Sequence, residues 1–516
     1  MTSQMQLVRT SGIFHGLPTY PDSPKTTDLT AVVTGANGIS GQHLIKALLE
    51  SPKRWKTIYC LSRRPPSPHL LKTVGDAADR VRHIPMDFLK SAEEIGTVLQ
   101  EHQVRADYVF FFSYMQPPQK GALGTMWDNA DALAEINTKL LTNFLHALDL
   151  SLIDKPKRIL LQTGGKHYGV HLGPVHTPTF ETDPRPSLET NFYYHQQDQL
   201  SRWCLQREVQ WTVARPSIVD GAAPDSALNY LVGVAVYAAV QAHLRQPLYF
   251  PATVHEWGRE RSHSSAKLNA YFEEWVVLNG GTGNQAFNIV DGSAFTWGRL
   301  WMYLAEWFGV GSWVAPLDEE DQGEEYRVTY ARYQECPRGF GRGTTRTTFT
   351  FLEWSHRPEV VQAWAELSKR YNLTIDPFKD RGGVFGLADV SVSCGWPFTQ
   401  SMGRRGRLTP TMIYEFRVYT IVPGKMPSQL EKMETCTLPL WTKHDIQHVG
   451  FWTTLIGPDA TELTYMLAWE SLAEREQKWT AFQRDPEWIQ TKSKYGQTNV
   501  KVANRFLVPT GFSRLQ

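Results

Sequence analysis

The sequence has few cysteines, almost no net charge and no long apolar run. Its five cysteines are odd in number and widely spaced, which favours reduced thiols over a disulfide framework or a zinc site. The formal net charge of +1 provides no overall field that would attract nucleic acid or an anionic membrane. A hydrophobic content of 41% and a charged content of 20% are typical of a globular, water-soluble protein.

No segment is suited to crossing a membrane. The longest apolar run, YLVGVAVYAAV at residues 230–240, is shorter than the roughly 20 residues that span a bilayer, and it predicts a buried helix. The N-terminal stretch MTSQMQLVRTSGIFHG lacks the apolar core of a signal peptide. We therefore expect a cytoplasmic protein without membrane or nucleic-acid partners. A length of 516 residues predicts two or three domains.

The clearest motif is LTAVVTGANGISGQHLIKALLE at residues 29–50. A short apolar run at 31–33 predicts a buried parallel strand, and HLIKALLE has the spacing of an amphipathic helix. The glycines between them would allow a tight turn and a close approach to a pyrophosphate at the helix N-terminus. A glycine-rich loop without a ligand is the alternative. The cofactor-binding residues predicted here are Gly35, Asn37, Gly38, Ile39 and Gly41.

The next predicted strand indicates which dinucleotide would bind. KTIYCLSRRPP at residues 56–66 ends in Ser62, Arg63 and Arg64, where an NAD enzyme usually has an acidic residue for the ribose hydroxyls. Two arginines instead suit the 2′-phosphate of NADPH, although a solvated basic turn is the alternative.

Two further strands follow at residues 81–90 and 107–115. The first ends in Asp87, placed to approach an adenine, and the second ends in Ser113 and Tyr114. All these residues would lie at the carboxyl edge of one parallel sheet, where such sheets bind ligands. The pattern predicts an α/β fold with a doubly wound Rossmann sheet.

The sequence also lacks the usual spacing of a catalytic tyrosine and lysine. NFYYHQQDQL at residues 191–200 resembles the start of the catalytic helix of short-chain dehydrogenases/reductases, in which a tyrosine usually precedes a lysine by four positions. None of the 20 tyrosines has a lysine at that spacing, and Tyr193 has Gln197 there. Such a lysine would hydrogen-bond the nicotinamide ribose and lower the pKa of the tyrosine hydroxyl. Either the site is inactive or the lysine comes from elsewhere.

The candidate lysine is Lys166, in KRILLQTGGKHYGVHLGP at residues 157–174. RILLQT is an apolar strand, so Gly164, Gly165 and Lys166 would lie at its carboxyl end, on the edge of the sheet that carries the site. Position alone leaves a solvated lysine as the alternative.

Together, LLQTGGKHYG and NFYYHQQDQL resemble the paired signature of the PRISE-type reductases. These atypical extended short-chain dehydrogenases include progesterone 5β-reductase, iridoid synthase and many fungal relatives, and their lysine lies in a Lys-His-Tyr segment. TGANGISG, LSRRPP, RPSIVDG and LADVSVSCGWPFTQSM agree, so that the resemblance covers residues 28–405. It implies a Rossmann domain whose substrate-covering part occupies approximately 225–405.

The resemblance assigns roles to individual positions. Lys166 and Tyr193 match the catalytic lysine and tyrosine, with Tyr194 as the fallback for the tyrosine. Tyr114 lies where plant members often have a tryptophan facing the substrate. Ser62, Arg63 and Arg64 match the family's NADPH 2′-phosphate residues. Tyr114 and Tyr194 are the expected pocket residues, and Ile218 of RPSIVDG is expected at the cofactor site beside Asp87 and Ser113, which the strand ends predict.

The implied reaction is the NADPH-dependent reduction of an activated C=C bond in an enone or enal, or of a related carbonyl compound, in secondary metabolism. Hydride would reach the β-carbon while Tyr193 stabilises the enolate oxygen. One alternative uses the same pocket for an isomerisation, aldol reaction or cyclisation. Another is an NADP-sensing regulator without turnover.

The helical spacing of Trp297, Leu300, Trp301 and Leu304 indicates a core face.

A connector rich in glycine and arginine at residues 401–410 precedes a second pattern at 411–516. Its predicted order, β-α-β-β-α-β, is that of a ferredoxin-like module. IYEFRVYTIVPGK, HVGFWTT and WESLAEREQKW resemble the NIPSNAP family of dimeric α/β-barrel proteins, which implies a homodimer through this domain. His444, Asp445 and His448 lie close in sequence, but we assign them no metal, because loop or strand-end polar residues are the better interpretation.

Overall fold

The computed structural model describes residues 7–117, 129–151, 155–223, 229–317, 326–330, 343–401, 413–454, 461–469 and 472–507. The chain divides into two compact units, Met1–Gly403 and Arg404–Gln516. Apart from Ser401, the connector predicted at 401–410 lies outside the described residues. No helix in the described ranges combines the length and apolar character needed to cross a membrane. Cys60, Cys204, Cys394 and Cys436 are free thiols.

The N-terminal unit is built around a seven-stranded parallel sheet with the order β12-β8-β7-β6-β3-β4-β5. The order reverses beside β3, as in a doubly wound sheet, so the predicted Rossmann fold is confirmed. The strands of the unit are β1 (Val8–Ser11), β2 (Phe14–Pro18), β3 (Leu29–Thr34), β4 (Trp55–Ser62), β5 (Val81–Pro85), β6 (Tyr108–Phe111), β7 (Arg158–Gln162), β8 (Gln210–Pro216), β9 (Val219–Asp220), β10 (Leu248–Tyr249), β11 (Ser264–Ser265), β12 (Gln285–Ile289), β13 (Trp313–Val314), β14 (Arg327–Tyr330) and β15 (Thr344–Thr347).

Helices cover both faces of this sheet. The helices of the unit are α1 (Ile39–Leu49), α2 (Pro68–Val74), α3 (Ala92–Glu101), α4 (Ala130–Ser151), α5 (Phe192–Arg207), α6 (Tyr230–Leu244), α7 (Val254–Gly258), α8 (Ala266–Leu278), α9 (Trp297–Phe308), α10 (Phe351–Trp354), α11 (Pro358–Tyr371) and α12 (Leu387–Val392). Apolar residues of α1 and α8 pack on one face, and those of α3, α4 and α5 pack on the other. Because both faces are buried, the strands are almost continuously apolar.

A separate core lies beyond the sheet. It joins α6, α9, α11 and α12, and it buries Trp297 and Trp301 completely. The predicted buried helix at 230–240 and the predicted core face of α9 are both confirmed. We call this core and its helices the cap. It belongs to the part of the chain for which a substrate-covering role was expected.

The C-terminal unit is an antiparallel sheet with helices on one face. Its elements are β16 (Ile413–Ile421), α13 (Met426–Lys432), a π-helical turn (Met433–Thr437), α14 (Leu438–Lys443), β17 (Gln447–Thr453), β18 (Glu462–Trp469), α15 (Leu472–Arg484), α16 (Pro486–Tyr495) and β19 (Asn499–Leu507). The sheet order β17-β18-β16-β19 confirms the ferredoxin-like module. The second helix of the predicted β-α-β-β-α-β order is two helices, α15 and α16, because Asp485 caps a new helix that has Pro486 in its first turn.

Candidate active site

A cavity of about 980 Å³ opens at the carboxyl edge of the parallel sheet. It extends from the glycine turn after β3 to the cap residues that follow α12. Fourteen residues predicted from the sequence line it: Gly35, Asn37, Gly38, Ile39, Gly41, Ser62, Arg63, Arg64, Asp87, Ser113, Tyr114, Lys166, Tyr193 and Ile218. The doubly wound topology therefore brings to one site predicted residues that are up to 183 positions apart in sequence, from Gly35 to Ile218.

The glycine turn is shaped by close backbone contacts. Gly35 has φ +61°, and a Cβ atom there would lie 2.7 Å from the carbonyl oxygen of Phe112. A Cβ atom at Gly41 would lie 2.5 Å from the carbonyl oxygen of Gly35. Helix α1 then begins at Ile39 without a side-chain cap. Residues 39–41 of its first turn line the cavity, so the N–H groups at this helix end would suit an anionic group such as a pyrophosphate.

The arginine turn after β4 is tied to the glycine turn. The amide of Asn37 donates hydrogen bonds to the carbonyl oxygens of Arg64 (2.8 Å) and Pro65 (3.1 Å). Within the described ranges, the side chains of Arg63 and Arg64 form no hydrogen bond or ion pair, and both are exposed. Two guanidinium groups held at the cavity rim fit a phosphate on the adenosine ribose of a dinucleotide.

Strand β6 is fastened to β3 at the same edge. The hydroxyl of Thr34 accepts hydrogen bonds from the backbone N–H groups of Phe112 (3.1 Å) and Ser113 (3.2 Å). This holds the end of β6 against the glycine turn, which places Ser113 and Tyr114 in the cavity wall. Asp87 also lines the cavity, and its carboxylate accepts a hydrogen bond from the N–H of Leu89 (3.0 Å).

Tyr193 and Lys166 approach each other from different elements. Tyr193 lies in the first turn of α5, and its hydroxyl oxygen would be 3.3 Å from a Cβ atom at Gly164, in the loop that carries Lys166. Lys166 is 7% exposed, and its Nζ lies 5.7 Å from the ring centroid of Phe192. Burial raises the pKa of Tyr193. Tyr193 is therefore a neutral phenol at neutral pH, and the lowering of its pKa by the charge of Lys166 stays a prediction.

Sequence reasoning missed Asn191, which connects the two residues. The buried amide of Asn191 donates a hydrogen bond to the carbonyl oxygen of Lys166 (3.0 Å). Its Oδ1 accepts one from the N–H of Tyr193 (3.1 Å), which caps α5. One side chain thus joins the lysine loop to the tyrosine helix. The helix-capping preference of Asn, directly before Phe192, was the signal available in the sequence.

Gln197, at the position where a lysine is usual, is not among the residues that line the cavity. Its side-chain oxygen accepts a hydrogen bond from Arg215 (3.2 Å). Arg215 also donates to Tyr168 (3.3 Å), which in turn donates to Asn288 (2.5 Å). Gln197 therefore belongs to a polar network that joins α5 to the strands beneath the lysine loop. It does not replace the positive charge of the lysine that is usual at this position.

The expected role of Tyr194 in the pocket is not met. Its hydroxyl donates to the carbonyl oxygen of His167 (2.7 Å), and the ring lies outside the cavity lining. Successive helical positions differ in direction by about 100°, so Tyr193 and Tyr194 cannot face the same side. Tyr114 does line the cavity, and its ring centroid lies 5.8 Å from that of Phe192.

A chain of hydrogen bonds runs from the cavity wall into the protein. Ser40 donates to Gln162 (2.6 Å), whose amide donates to Glu273 of α8 (2.9 Å). Glu273 is 1% exposed, and burial raises its pKa to about 8. A neutral carboxyl group therefore lies behind the strand end that carries the lysine loop, and it places no negative charge near the proposed phosphate site at neutral pH.

The cap contributes the remaining wall. Asp389 accepts hydrogen bonds from the N–H groups of Phe351 (2.6 Å) and Leu352 (3.0 Å) at the start of α10, and burial raises its pKa to about 7. His171, whose Nε2 lies 2.8 Å from a carboxylate oxygen of Glu189, lines the cavity on the side of the lysine loop.

The polar cluster considered in the C-terminal unit does not converge. His444 contacts Asp485 (2.7 Å), Asp445 contacts Lys478 (2.7 Å), and the ring of His448 packs near Phe451. In the part of the chain that is described, no group of three or more His, Cys, Asp or Glu side chains could hold a metal ion.

Comparisons with known proteins agree with this geometry. A PRISE-like Rossmann-fold domain matches residues 31–334, and a NIPSNAP domain matches residues 414–514. The short chain dehydrogenase gsfE of Penicillium aethiopicum is 30% identical over 67% of this chain and 83% of its own length. The (S)-8-oxocitronellyl enol synthase CYC2 of Camptotheca acuminata is 31% identical over 64% and 83%. The 3-oxo-Delta(4,5)-steroid 5-beta-reductase of Arabidopsis thaliana is 31% identical over 56% and 72%.

The family match covers more than half of the chain, and it spans the glycine turn, the arginine turn, Lys166 and Tyr193. The C-terminal match coincides with the ferredoxin-like unit. The chain therefore belongs to the PRISE-like Rossmann-fold family and carries a NIPSNAP domain in its C-terminal region.

Proposed function

We propose that the protein is an NADPH-dependent oxidoreductase that reduces the conjugated double bond of an enone or enal, or a related carbonyl group. The observation that carries the proposal is the shared cavity. The glycine turn, the arginine turn, Lys166 and Tyr193 all line it. The named steroid reductase and enol synthase among the relatives support an activity of this class.

The cofactor would bind along the sheet edge. The N-terminus of α1 would hold the pyrophosphate, and Arg63 and Arg64 would hold the 2′-phosphate that distinguishes NADPH from NADH. Lys166 would hydrogen-bond the nicotinamide ribose and orient the ring. When bound, NADPH would supply a hydride to the β-carbon of the conjugated system.

The chain's own residues would stabilise the charge that develops on the substrate oxygen. Tyr193 is a neutral phenol, because burial raises its pKa. It can therefore donate a hydrogen bond to a carbonyl oxygen as that oxygen becomes an enolate. Asn191 would keep this hydroxyl in place relative to Lys166, because its amide contacts both segments.

The test is NADPH oxidation, followed by absorbance, with a panel of enones and enals and the full chain. We expect turnover with NADPH that the Tyr193→Phe, Lys166→Ala double variant lacks. Full activity of the double variant would reject the assignment. Substrate conversion without NADPH consumption would indicate an isomerase or cyclase in the same pocket, and tight NADP binding without conversion would indicate a sensor.

We also propose a homodimer through the C-terminal unit. Phe416, Met466 and Trp452 lie on the sheet face opposite the core residues Tyr465 and Leu467, as the strand register requires. Within the described part of the unit, the helices pack on the other face. We call this face, on which Trp452 is exposed and only Tyr414 and Ala468 at one end are buried, the open face, and we expect a second copy to pack on it.

Light scattering after size exclusion would test the dimer. We expect a dimer for the native chain and a monomer for Trp452→Lys, whose side chain is 49% exposed on the open face. The matched control is Ile489→Lys, because Ile489 is 51% exposed on α16, away from that face. A monomeric native chain at micromolar concentration would reject the proposal.

A further inference from the structure

The cap places a short antiparallel ribbon beside the cavity. In this ribbon, β14 pairs with β15 so that Thr329 lies opposite Thr345 and Arg327 lies opposite Thr347. Paired residues share one face of a ribbon, and residues two apart along a strand share that face as well. Thr329, Thr345 and Thr347 therefore share one face of the ribbon with Arg327, whose guanidinium group pairs with Glu353. We call the three hydroxyl-bearing side chains the threonine face.

The threonine face belongs to the cavity wall. All three residues line the cavity, with Thr345 and Thr347 half-buried and Thr329 exposed. Among the residues that the structure describes, none hydrogen-bonds the hydroxyl of any of the three. Each hydroxyl can donate one hydrogen bond and accept others, and β-branching restricts its direction. A row of such groups on a cavity wall offers oriented hydrogen bonds to a ligand.

Packing contacts place the threonine face at the catalytic end of the cavity. Gly395 packs directly against the backbone of Thr344. Next to it, the indole of Trp396 donates to the carbonyl oxygen of Val170 (3.0 Å). A Cβ atom at Gly165 would lie 2.7 Å from the ring of Phe398. Residues 395–398 thus connect the ribbon to the loop that carries Lys166. The arginine turn lies at the end of a different strand, β4.

We propose that the threonine face is a substrate subsite that binds a hydroxyl or carbonyl oxygen remote from the reacting double bond. The substrate class is accordingly an enone or enal that carries at least one additional oxygen function, and not a plain hydrocarbon skeleton. The inference rests on the proposed function, because it takes the catalytic end of the cavity to hold the substrate. A site built of hydroxyl groups discriminates against an analogue that leaves those groups unpaired.

The test compares matched ligands with matched variants. The probes are straight-chain 2-enals of increasing length, each paired with the analogue that has a terminal hydroxyl in place of the terminal methyl. For the native chain we expect a higher kcat/KM for the hydroxyl analogue at the length that reaches the threonine face. Thr345→Val with Thr347→Val should reduce that preference about tenfold, because valine keeps the shape and removes only the hydroxyl.

The control is Thr344→Val, which lies on the same ribbon but on the opposite face and outside the cavity lining. It should retain the native preference. Equal kcat/KM for both analogues at every length, or a preference that survives the double valine variant, would overturn the subsite.

A binding measurement separates this proposal from the proposed function. Calorimetry with the same pairs, on the NADP-saturated chain, gives the ratio of the two Kd values without turnover. A native preference of about tenfold that the double valine variant loses would retain the subsite even if no enal were reduced. Equal Kd values for the two analogues at every length would reject the subsite, whatever the rates.

Discussion

Each unit of the molecule buries a glutamate, and the two carboxyl groups are held in opposite protonation states. Glu273, in the N-terminal unit, is 1% exposed and accepts a hydrogen bond from the amide of Gln162, and burial raises its pKa to about 8. Glu415, in the C-terminal unit, is fully buried. Burial alone would raise its pKa, but hydrogen bonds from Arg475 and Asn504 and the charge of Arg417 lower it overall.

The difference lies in the partners of each buried carboxyl group. In the C-terminal unit, the internal carboxylate accepts hydrogen bonds from two arginines, an asparagine and the indole of Trp469. In the N-terminal unit, the pKa values of the buried Glu273 and of the half-buried Tyr193 are raised. Perturbed groups of that kind gather at functional sites. We therefore expect polar substitutions to change stability in the C-terminal unit, and activity or pH dependence in the N-terminal unit.

The largest expected effect is on the C-terminal unit. Glu415→Gln would leave Arg417 and Arg475 without their shared counter-charge, which should destabilise this unit by about 3–5 kcal/mol. Hydrogen exchange of the β16 and β18 amides measures the change. The matched control is Glu487→Gln, which removes an exposed ion pair with Lys443 and should shift stability by less than about 1 kcal/mol. Unchanged stability of the C-terminal unit in Glu415→Gln would contradict the prediction.

The second effect belongs to catalysis. Tyr193→Phe removes one hydrogen-bond donor to the developing enolate, so kcat should fall about 10²–10³-fold. The Kd for NADPH should stay within about twofold, because the hydroxyl is proposed to contact the substrate and not the dinucleotide phosphates. Stopped-flow reduction and calorimetry measure the two quantities. Equal losses in kcat and in cofactor affinity would point to misfolding, which a melting curve would reveal.

The third prediction concerns pH. The pKa of Glu273 is higher in the folded state than in the unfolded state. At pH values between these two pKa values, the folded state keeps a proton that the unfolded state has released. Stability should therefore fall as pH rises from about 4.5 to about 8, by a few kcal/mol, and then level off. Melting temperatures of the native chain and Glu273→Gln across this range measure it. The two curves should diverge with rising pH, and parallel curves would contradict the prediction.

Glu415 should respond in the opposite sense. Its pKa is lowered in the folded state, so its contribution is present above the unfolded pKa and is lost as pH falls through the folded pKa. Hydrogen exchange in the two units at acidic and alkaline pH would sharpen the comparison. The C-terminal unit should weaken on acidification, and the surroundings of α8 should weaken on alkalinisation.

A smaller effect tests cofactor choice. Arg63→Ala with Arg64→Ala removes the charges proposed to bind the 2′-phosphate, so KM for NADPH should rise about tenfold or more, while KM for NADH should stay within about twofold. Steady-state kinetics with both cofactors measure the ratio. An equal rise in KM for both cofactors would show that the arginines do not bind the 2′-phosphate.

The smallest effect separates capping from positioning at Asn191. Asn191→Asp keeps an acceptor for the N–H of Tyr193 but loses the donor to the carbonyl oxygen of Lys166, whereas Asn191→Ala loses both. Alanine should reduce stability by about 1 kcal/mol. Aspartate should also reduce stability, because its second carboxylate oxygen would face the carbonyl oxygen of Lys166 in a buried position. Both variants should lower kcat several-fold at an unchanged KM for NADPH. Full activity of the aspartate variant would limit Asn191 to a capping role.

Much of the fold was predictable because its signals are local. The strand, glycine turn and helix at residues 29–50 are neighbours in sequence, and so is the alternation that identifies β16. The hairpin of β1 and β2 was missed, as was the break between α15 and α16. The hairpin depends on packing against α8, where Phe14 meets Tyr271. The helix break depends on the capping geometry at Asp485.

The sequence by itself determined the Rossmann and ferredoxin-like topologies and the two segments that carry Lys166 and Tyr193. Periodicity and turn residues encode these features over a few positions. Only the tertiary structure decided that Gln197 binds Arg215, that Tyr194 faces away from the cavity, and that Asn191 joins lysine loop to tyrosine helix. The reason is physical: a polar side chain's role depends on its partners, and here those partners are brought together by the sheet from distant positions in the chain.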